Sequence, residues 1–325
     1  MTNEEIQVCL QKSQTKYVKL EILNQQDKIV DSLAGLAIDG SYNIDANSAL
    51  RRTCDITFIL NSKINISPSS PLWINKRFRL WVGIKNLLTD KIKYFNQGIY
   101  LIVDPSIDIQ LIDKTVSIKG YDKMAYFTND IAGQLPNKVV IPVDVPISDA
   151  IKSTAQTLGG ENKLLIDTSP YVTPYEIEKD AGNTIYDILK ELQELYKTWK
   201  CYYDVNGNFV FTRIKDHIND PVLFDFSIYK TIQTISQDIK YSNIKNYFKV
   251  IGKLLDDNTQ YISELTVTDA SYPNNPFTVE KMGEMTTRKL IIQEDKYYTQ
   301  EQCDSRLLYE YYIHSNFAEE VNFTT

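Results

Sequence analysis

Residues 180–214 read DAGNTIYDILKELQELYKTWKCYYDVNGNFVFTRI, and this stretch decides the fold. Thr184, with Asp187 three residues on, has the pattern of a capping box. Hydroxyl and carboxylate there each take a backbone N–H that the first helical turn leaves unpaired. Ile185, Ile188, Leu189, Leu192, Leu195 and Tyr196 recur at helical spacing and make one apolar stripe. Glu191 and Glu194 fall off the stripe and are expected in solvent. Asn206-Gly207 follows Tyr202–Val205 and signals a hairpin turn of two residues or slightly more, with Asn208 to Ile214 returning as the second strand. A capped helix running straight into a hairpin is a rigid module. It holds no nucleophile paired with a base, and so suggests a building block in preference to an enzyme.

Upstream, the period changes from helix to strand. Residues 2 to 14 are predicted as a short helix with a Thr2/Glu5 capping box and Ile6, Cys9 and Leu10 on one face. Strands are predicted at Tyr17–Leu23, Arg52–Leu60, Phe78–Ile84, Tyr94–Val103 and Thr115–Lys119, with a polar turn from Asn24 to Asp27. Several strands within about 120 residues suggest a small barrel or sandwich. Gly120 is expected to end the last strand and a helical turn to follow. A loop with Gly133, Pro136, Pro142 and Pro146 then marks a domain boundary near residue 130.

Beyond it, Ser148 is expected to cap a helix carrying Ile151, Ala155 and Leu158 that stops at Gly159-Gly160. Leu164–Ile166 is a short strand. After residue 235 strands resume at Asn246–Lys253, Gln260–Val267 and Lys289–Gln293. Thr299 and Gln302 open a last helix that runs to about Asn316, with Cys303, Leu307 and Tyr311 aligned. A strand then starts at Glu319-Glu320. It either pairs with an earlier segment or belongs to a longer protein. The expected fold is α+β: two small β-barrel (tube-type) domains, 1–130 and 236–325, flanking an α/β insert at 131–235, the second barrel being incomplete at its C-terminus.

Composition narrows the function. A chain of 325 residues with formal net charge -7 gives no general basis for binding nucleic acid. The run Lys76-Arg77-Phe78-Arg79 is expected to be the solvated face of a strand. No apolar run approaches the ~20 residues that span a membrane. Cys9, Cys54, Cys201 and Cys303 are scattered, without a Cys-x-x-Cys pair, and suit buried free thiols in a reducing compartment. The 22 tyrosines are explained by an A- and T-rich genome better than by interfaces.

Chemistry has few candidates. His217 lies in a polar loop beside Asp216, and His314 near the end of the last helix, where its charge suits the dipole. Asp204-Val205-Asn206-Gly207-Asn208 has the start of a calcium loop, but Lys215 stands where the closing carboxylate is needed. Gly159-Gly160 follows a helix and so is no phosphate loop. Asp256-Asp257 and Glu319-Glu320 are adjacent pairs, which a strand sends to opposite faces and a loop leaves solvated. No catalytic, cofactor-binding or metal residue is therefore assigned.

Three stretches resemble one family. Ile118–Phe127, IKGYDKMAYF, resembles the Gly-x-Asp turn that closes a first barrel. Asn183–Leu192 with Tyr202–Asn208 is the second, and the final helix with the strand from Glu320 is the third. Together they are similar to the baseplate or tail-tip hub proteins of bacteriophages, including the N-terminal structural region of siphophage tail-associated proteins. The resemblance covers the layout of most of the chain. It implies a structural virion protein and no enzyme. A homotrimer would form a ring that continues the tail tube, adapting it from sixfold to threefold symmetry, with the α/β insert outside. The implied partners are other copies, a tail tube or distal tail protein, tail spike, fibre or lysin components, and DNA passing through without specific binding. The implied location is the virion's tail tip, assembled in the host cytoplasm. Lumen carboxylates would repel that DNA. The alternatives are a receptor- or carbohydrate-binding tail module using Trp73, Trp81 or Trp199, and the structural region of a cell-wall hydrolase.

Overall fold

The computed structural model describes residues 2–9, 11, 13–61, 64–74, 76–109, 114–215, 221, 234–283, 287–315 and 318–324. The chain opens with helix α1 (Asn3–Cys9). Its capping box forms as expected: Thr2 N–H donates to Glu5 Oε2 (2.8 Å) and Glu5 N–H to Thr2 Oγ1 (3.3 Å). The helix ends earlier than residue 14 because glutamine amides take its last carbonyls. Gln11 Nε2 donates to Val8 O (3.1 Å) and Gln14 Nε2 to Cys9 O (2.6 Å). Val8 is the residue it buries.

Seven strands follow: β1 (Lys16–Leu23), β2 (Ile29–Ala34), β3 (Ala37–Ile44), β4 (Arg52–Ile59), β5 (Arg77–Lys85), β6 (Ile92–Ile109) and β7 (Lys114–Asp122). They form one antiparallel sheet in the order β2-β1-β5-β6-β7-β4-β3. Sequence reading missed β2 and β3. β3 is AIDGSYNI, with Gly, Asp and Asn that favour turns, and seven of its eight residues are exposed, so no burial alternation marks it. β6 continues past Val103 because a bulge at Asp104-Pro105 absorbs the proline: the register shifts between Val103 and Ser106, and Asp104 has φ 42°.

The predicted closed barrel needs correction. β2 and β3 are the two edges of the sheet, yet only Gly35-Leu36 separates them in sequence. Three peptide steps of about 3.8 Å each bound the gap between Ala34 and Ala37. The sheet must therefore curl until its edges meet at that corner. No ladder joins β2 to β3 to shut it: β2 is hydrogen-bonded to β1 and β3 to β4, each on one side alone. The curled sheet encloses Leu20, Ile22, Phe58, Phe78, Tyr100 and Ile118, with Phe78 and Tyr100 stacked at 5.4 Å. β7 also runs past Gly120. The glycine is needed for space there, since a Cβ would sit 2.6 Å from Cys54 Sγ and 2.7 Å from Phe78 Cζ.

The central α/β region contains β8 (Val139–Ile141), α2 (Ile147–Ser153), β9 (Leu164–Ile166), β10 (Ile177–Lys179), α3 (Ile185–Leu195), β11 (Trp199–Tyr203) and β12 (Phe209–Arg213). β8 pairs with β10. β12 lies between β11, antiparallel, and β9, parallel. All six residues of the α3 stripe are buried, and the Thr184/Asp187 capping box is complete. Ser148 is not a cap: α2 starts one residue earlier, behind Pro146, which makes no side-chain cap bond. This start carries Ile147 into the core, where it is 1% exposed. α2 widens into a π-helical turn, Thr154–Leu158, before Gly159-Gly160.

The C-terminal region contains β13 (Thr234–Lys240), β14 (Tyr247–Leu254), β15 (Gln260–Thr266), α4 (Val279–Met282), β16 (Lys289–Gln293), α5 (Gln300–His314) and β17 (Ala318–Thr324). It does not make a second barrel among the described residues. β15-β14-β16 is a three-stranded sheet, and β13-β17 a separate two-stranded ribbon. The final strand thus finds its partner in β13. α5 lies on the three-stranded sheet, where Cys303 packs with Val250 and Tyr297. The Thr299 cap is half made. Its hydroxyl accepts from Gln302 N–H, but the Gln302 side chain accepts from Tyr298 N–H instead of returning to Thr299.

Candidate functional site

The densest cluster of charge in the fold lies where the curled sheet meets the α/β region. The turn between β11 and β12 builds one side of it. Asp204 accepts from the N–H groups of Asn206 (2.8 Å) and Asn208 (2.9 Å) and from Asn208 Nδ2 (2.8 Å). Its carboxylate is thereby committed to the turn, which accounts for the calcium-like spacing without a metal. Gly207, at φ 75°, brings the turn against β6, and a Cβ there would lie 2.8 Å from Ile99 Cδ1. The turn's backbone carbonyls are held from the other side. Arg52 Nη1 donates to Tyr203 O (2.6 Å), Asn96 Nδ2 to Val205 O (3.1 Å) and Lys123 Nζ to Gly207 O (3.1 Å). The hairpin is a plug seated on the first sheet.

Behind the plug lies a buried ion cluster. Asp122 ends β7 and accepts from Met124 N–H (2.9 Å), which starts a 3₁₀ turn, Lys123–Tyr126, and fixes Lys123. The Lys123 side chain is 3% exposed. Its ammonium lies 2.5 Å from Glu161 Oε2 and 3.7 Å from Asp27 Oδ2. Asp27 is also paired with Arg77 (2.7 Å) and Lys163 (2.9 Å). Tyr203 OH donates to Glu161 Oε2 at 2.9 Å. Asp27 and Arg77 come from the first sheet, Lys123 from the junction, and Glu161, Lys163 and Tyr203 from the α/β region.

Physical causes set the charge states. Burial raises the Asp27 carboxyl, but Lys123, Lys163 and Arg77 outweigh it and hold the group below its usual range. Burial lowers Lys123, with Glu161 and Asp27 opposing. Burial and then Glu161 push the Tyr203 phenol well above its ordinary value. Lys163 is the cluster's most exposed member, with the side chain 40% exposed and paired with Asp27.

The residues singled out in the sequence are dispersed. His217 and Asp216 lie outside the described residues. His314 Nδ1 is 3.2 Å from Asn243 O, and Nε2 is 3.4 Å from Glu310 Oε2, so it tethers the end of α5. Asp257 accepts from Thr259 N–H (2.9 Å) inside a turn. Gly160 takes the left-handed conformation, φ 66°, of a helix terminus. Trp199 is buried and stacked on Phe211 at 4.9 Å, and Lys19 covers the Trp81 ring at 4.9 Å. All four cysteines are free. Cys54 and Cys303 are buried, whereas Cys9 and Cys201 are only partly so, and burial raises each thiol. Arg77 and Arg79 do not face open solvent as expected but pair with Asp27 and Glu21, half-buried. Glu191 likewise turns inward, accepting from Tyr175 OH (3.1 Å) and pairing with Lys179 (2.5 Å). Among the described residues no group of three or more His, Cys, Asp or Glu side chains is placed to hold a metal ion. No helix among them is long and apolar enough to cross a membrane.

The sequence quoted Lys123 only as part of a turn, and missed Asp27, Glu161 and Lys163. Their partners are distant in the chain, so no local spacing announces them. The one available signal is a lysine placed between Asp122 and the apolar Met124 and Ala125.

No family model matches the sequence, and no curated protein matches it. Solved structures do match in three dimensions. The 43 kDa tail protein of prophage MuSo2 from Shewanella oneidensis superposes with a TM-score of 0.52 at 15% identity, over 90% of this chain and 77% of its own. Prophage tail protein gp18 from Listeria monocytogenes gives 0.55 at 11% identity, over 94% and 80%. A tail protein from Neisseria meningitidis gives 0.52 at 11% identity, over 90% and 74%. The resemblance carried by the three sequence stretches is matched by the path of almost the whole chain, which has the fold of phage tail proteins.

Proposed function

We propose that this chain is a structural protein of a phage tail, a tail-tip or baseplate hub. Copies, three to a ring, would continue the tail tube and convert its sixfold symmetry to threefold. The observation that carries this reading is β3. It is an eight-residue edge strand exposed over seven residues, at the open seam of a curled sheet. Tyr42 and Ile44 pair in register with buried Cys54 and Arg52, yet stay 46% and 49% exposed. An edge of this length invites strand pairing with another chain, and single-chain proteins usually shield such edges. In the ring, the polar outer side of the same strands, Asp39, Ser41, Asp55, Thr57 and Ser117, would face passing DNA. Exposed Lys119 stands opposite Asp55 on this side and is the one cation of the row, and the hydroxyls and carboxylates around it offer phosphate no anchor. The division into 1–130, 131–235 and 236–325 belongs to this proposal, as do the tail tube, spike and fibre partners, the virion location and the absence of catalysis.

Light scattering on the purified chain, alone and with its tail-tube protein, tests the ring. A threefold assembly is expected. Replacing Tyr42, whose N–H points away from β4 to the free edge, with Pro bars a second ladder at β3 and should return the assembly to monomers while leaving the circular dichroism spectrum unchanged. A chain that stays monomeric with the tube protein at high concentration, or a Tyr42→Pro ring as stable as the wild type, would overturn the reading.

A further inference from the structure

The α/β region touches its two neighbours in different ways. Towards the first sheet, the hairpin plug and the ion cluster leave Lys123 3% and Glu161 8% exposed in their shared salt bridge. Met124, at the junction, lies inside the α/β core with Phe127 and Leu135, and Leu50 packs against the same core. The Arg51 guanidinium covers the Tyr202 ring at 3.9 Å. Towards the C-terminal region the contacts are a buried hydroxyl pair, a ring pair and an exposed ion pair. Thr198 Oγ1 meets Ser305 Oγ at 3.2 Å, Tyr175 meets the Tyr298 ring at 5.0 Å, and Lys296 lies 4.0 Å from Glu191 while 55% exposed. Two voids interrupt this side. A cavity of about 180 Å³ is bounded by Glu191, Glu194, Lys197, Glu294 and Arg306. A cleft of about 840 Å³ opens between Lys200 and Arg213 on the β11–β12 edge, Tyr309 and Tyr312 on α5, and Asn47 beside the first sheet.

We propose that the first sheet and the α/β region move as one rigid body and that the C-terminal region swings against them across the cleft. The physical grounds are the two kinds of contact. Separating the first pair exposes buried, mutually compensating charges, so partial opening is resisted steeply. The second pair holds a gap that can narrow or widen without uncovering a buried pair of opposite charges, as expected of a shear or hinge surface. The lock is Lys123, which reaches from the junction to Glu161 and Gly207 in the α/β region and to Asp27 in the first sheet. This inference does not depend on ring formation.

Distance distributions between pairs of spin labels test it. Labels carried by unnatural amino acids keep the native cysteines in place. Positions 119, 190 and 293 are exposed and lie in the first sheet, on α3 and in β16. The 119–190 distribution should be narrow and the 190–293 distribution at least twice as wide. A disulfide from Thr198→Cys with Ser305→Cys should narrow 190–293 to the width of 119–190. Lys123→Met should widen 119–190. Equal widths in the uncrosslinked chain, or a wider 119–190 pair, would overturn the proposal whether or not the Lys123 variant folds.

Discussion

The first sheet is antiparallel throughout and the C-terminal sheet is mixed, β14 running antiparallel to β15 and parallel to β16; both border the α/β region, yet they solve burial differently. Seven strands curl around their own side chains, so Phe58, Phe78 and Tyr100 are buried by the sheet that carries them. Three strands cannot curl that far, and β15-β14-β16 relies on α5, whose Cys303 and Tyr311 cover Val250 and Phe248. Its opposite face keeps Ile262 and Ile291 at 42% and 57% exposure. Strand number therefore decides which region can stand on its own core, and ways to break the comparison follow from it.

The largest effect should come from the first core. Phe78 is fully buried and stacked on Tyr100, between strands that hold their spacing, so the site cannot collapse around a truncation. Phe78→Ala should cost about 4–5 kcal/mol. Phe248→Ala, equally buried but beside a single helix that can settle, should cost nearer 3 kcal/mol. Urea titrations followed by far-ultraviolet dichroism compare the two. Equal costs would show that α5 is held as stiffly as a strand.

Lys123 comes next. Lys123→Ala removes the one cation that bridges Glu161 and Asp27, though Arg77 and Lys163 still attend Asp27. A loss of about 3 kcal/mol is expected, at the low end for breaking a buried pair. A double-mutant cycle with Glu161→Gln should return a coupling above about 1 kcal/mol. The hydroxyl pair Thr198–Ser305 on the other side should show much less in the same cycle.

These contrasts explain what was legible. α3 and its hairpin were readable because six apolar residues, a cap and a turn sit within a few residues of one another. The strands with buried alternation, such as β4 with Arg52, Cys54, Ile56 and Phe58 turned inward, were readable for the same reason. β2 and β3 were not, since β2 buries only Leu33 and β3 is exposed along almost its whole length, so neither carries a period. The ion cluster was also hidden. Its members are assembled by the curl of the sheet and the seating of the hairpin, and each reads locally as an ordinary surface charge. The missing closure of the barrel depends on which strand pairs with which, information that propensity does not hold.

A pH experiment separates two carboxylates beside Lys123, Asp122 at the end of β7 and Asp27 in the turn after β1. At the β7 end, burial pushes Asp122 up to about 6, against the N–H groups of Met124 and Arg52 and the Arg52 charge, which lower it. The native state then takes up a proton at a pH where an unfolded aspartate, ordinarily 3.8, does not. Stability should therefore rise as pH falls from 7 towards 4, by up to about 3 kcal/mol at about 1.4 kcal/mol per pKa unit. Asp27 works in the other direction and in a lower window. Its carboxyl is held below the usual value, so its contribution is present above about pH 4 and is lost as pH falls through the folded value. Asp122→Asn should flatten the slope between pH 7 and 5 and leave the acid transition in place. A slope unchanged by that substitution would assign it to other carboxylates.

The smallest effects lie in the helix caps, and they still separate the central and C-terminal regions. Thr184 holds both halves of its box: Asp187 N–H donates to its hydroxyl at 3.1 Å, and Thr184 N–H donates back to Asp187 Oδ2 at 2.8 Å. Thr299 holds one half, at 3.4 Å, because the Gln302 amide oxygen is taken by Tyr298 N–H. Removing the hydroxyl from a complete box loses one bond and loosens the carboxylate that makes the other. Removing it from the half-made box loses one long bond and leaves the Gln302–Tyr298 contact alone. Thr184→Ala should then cost about 1 kcal/mol and Thr299→Ala about half of that. Hydrogen exchange at the first-turn amides reads each helix start directly. Faster exchange confined to Asp187 in the first variant and to Gln302 in the second would fit these contributions, whereas loss of protection along the whole of α5 would mean that its cap, and not the sheet beneath, sets its stability.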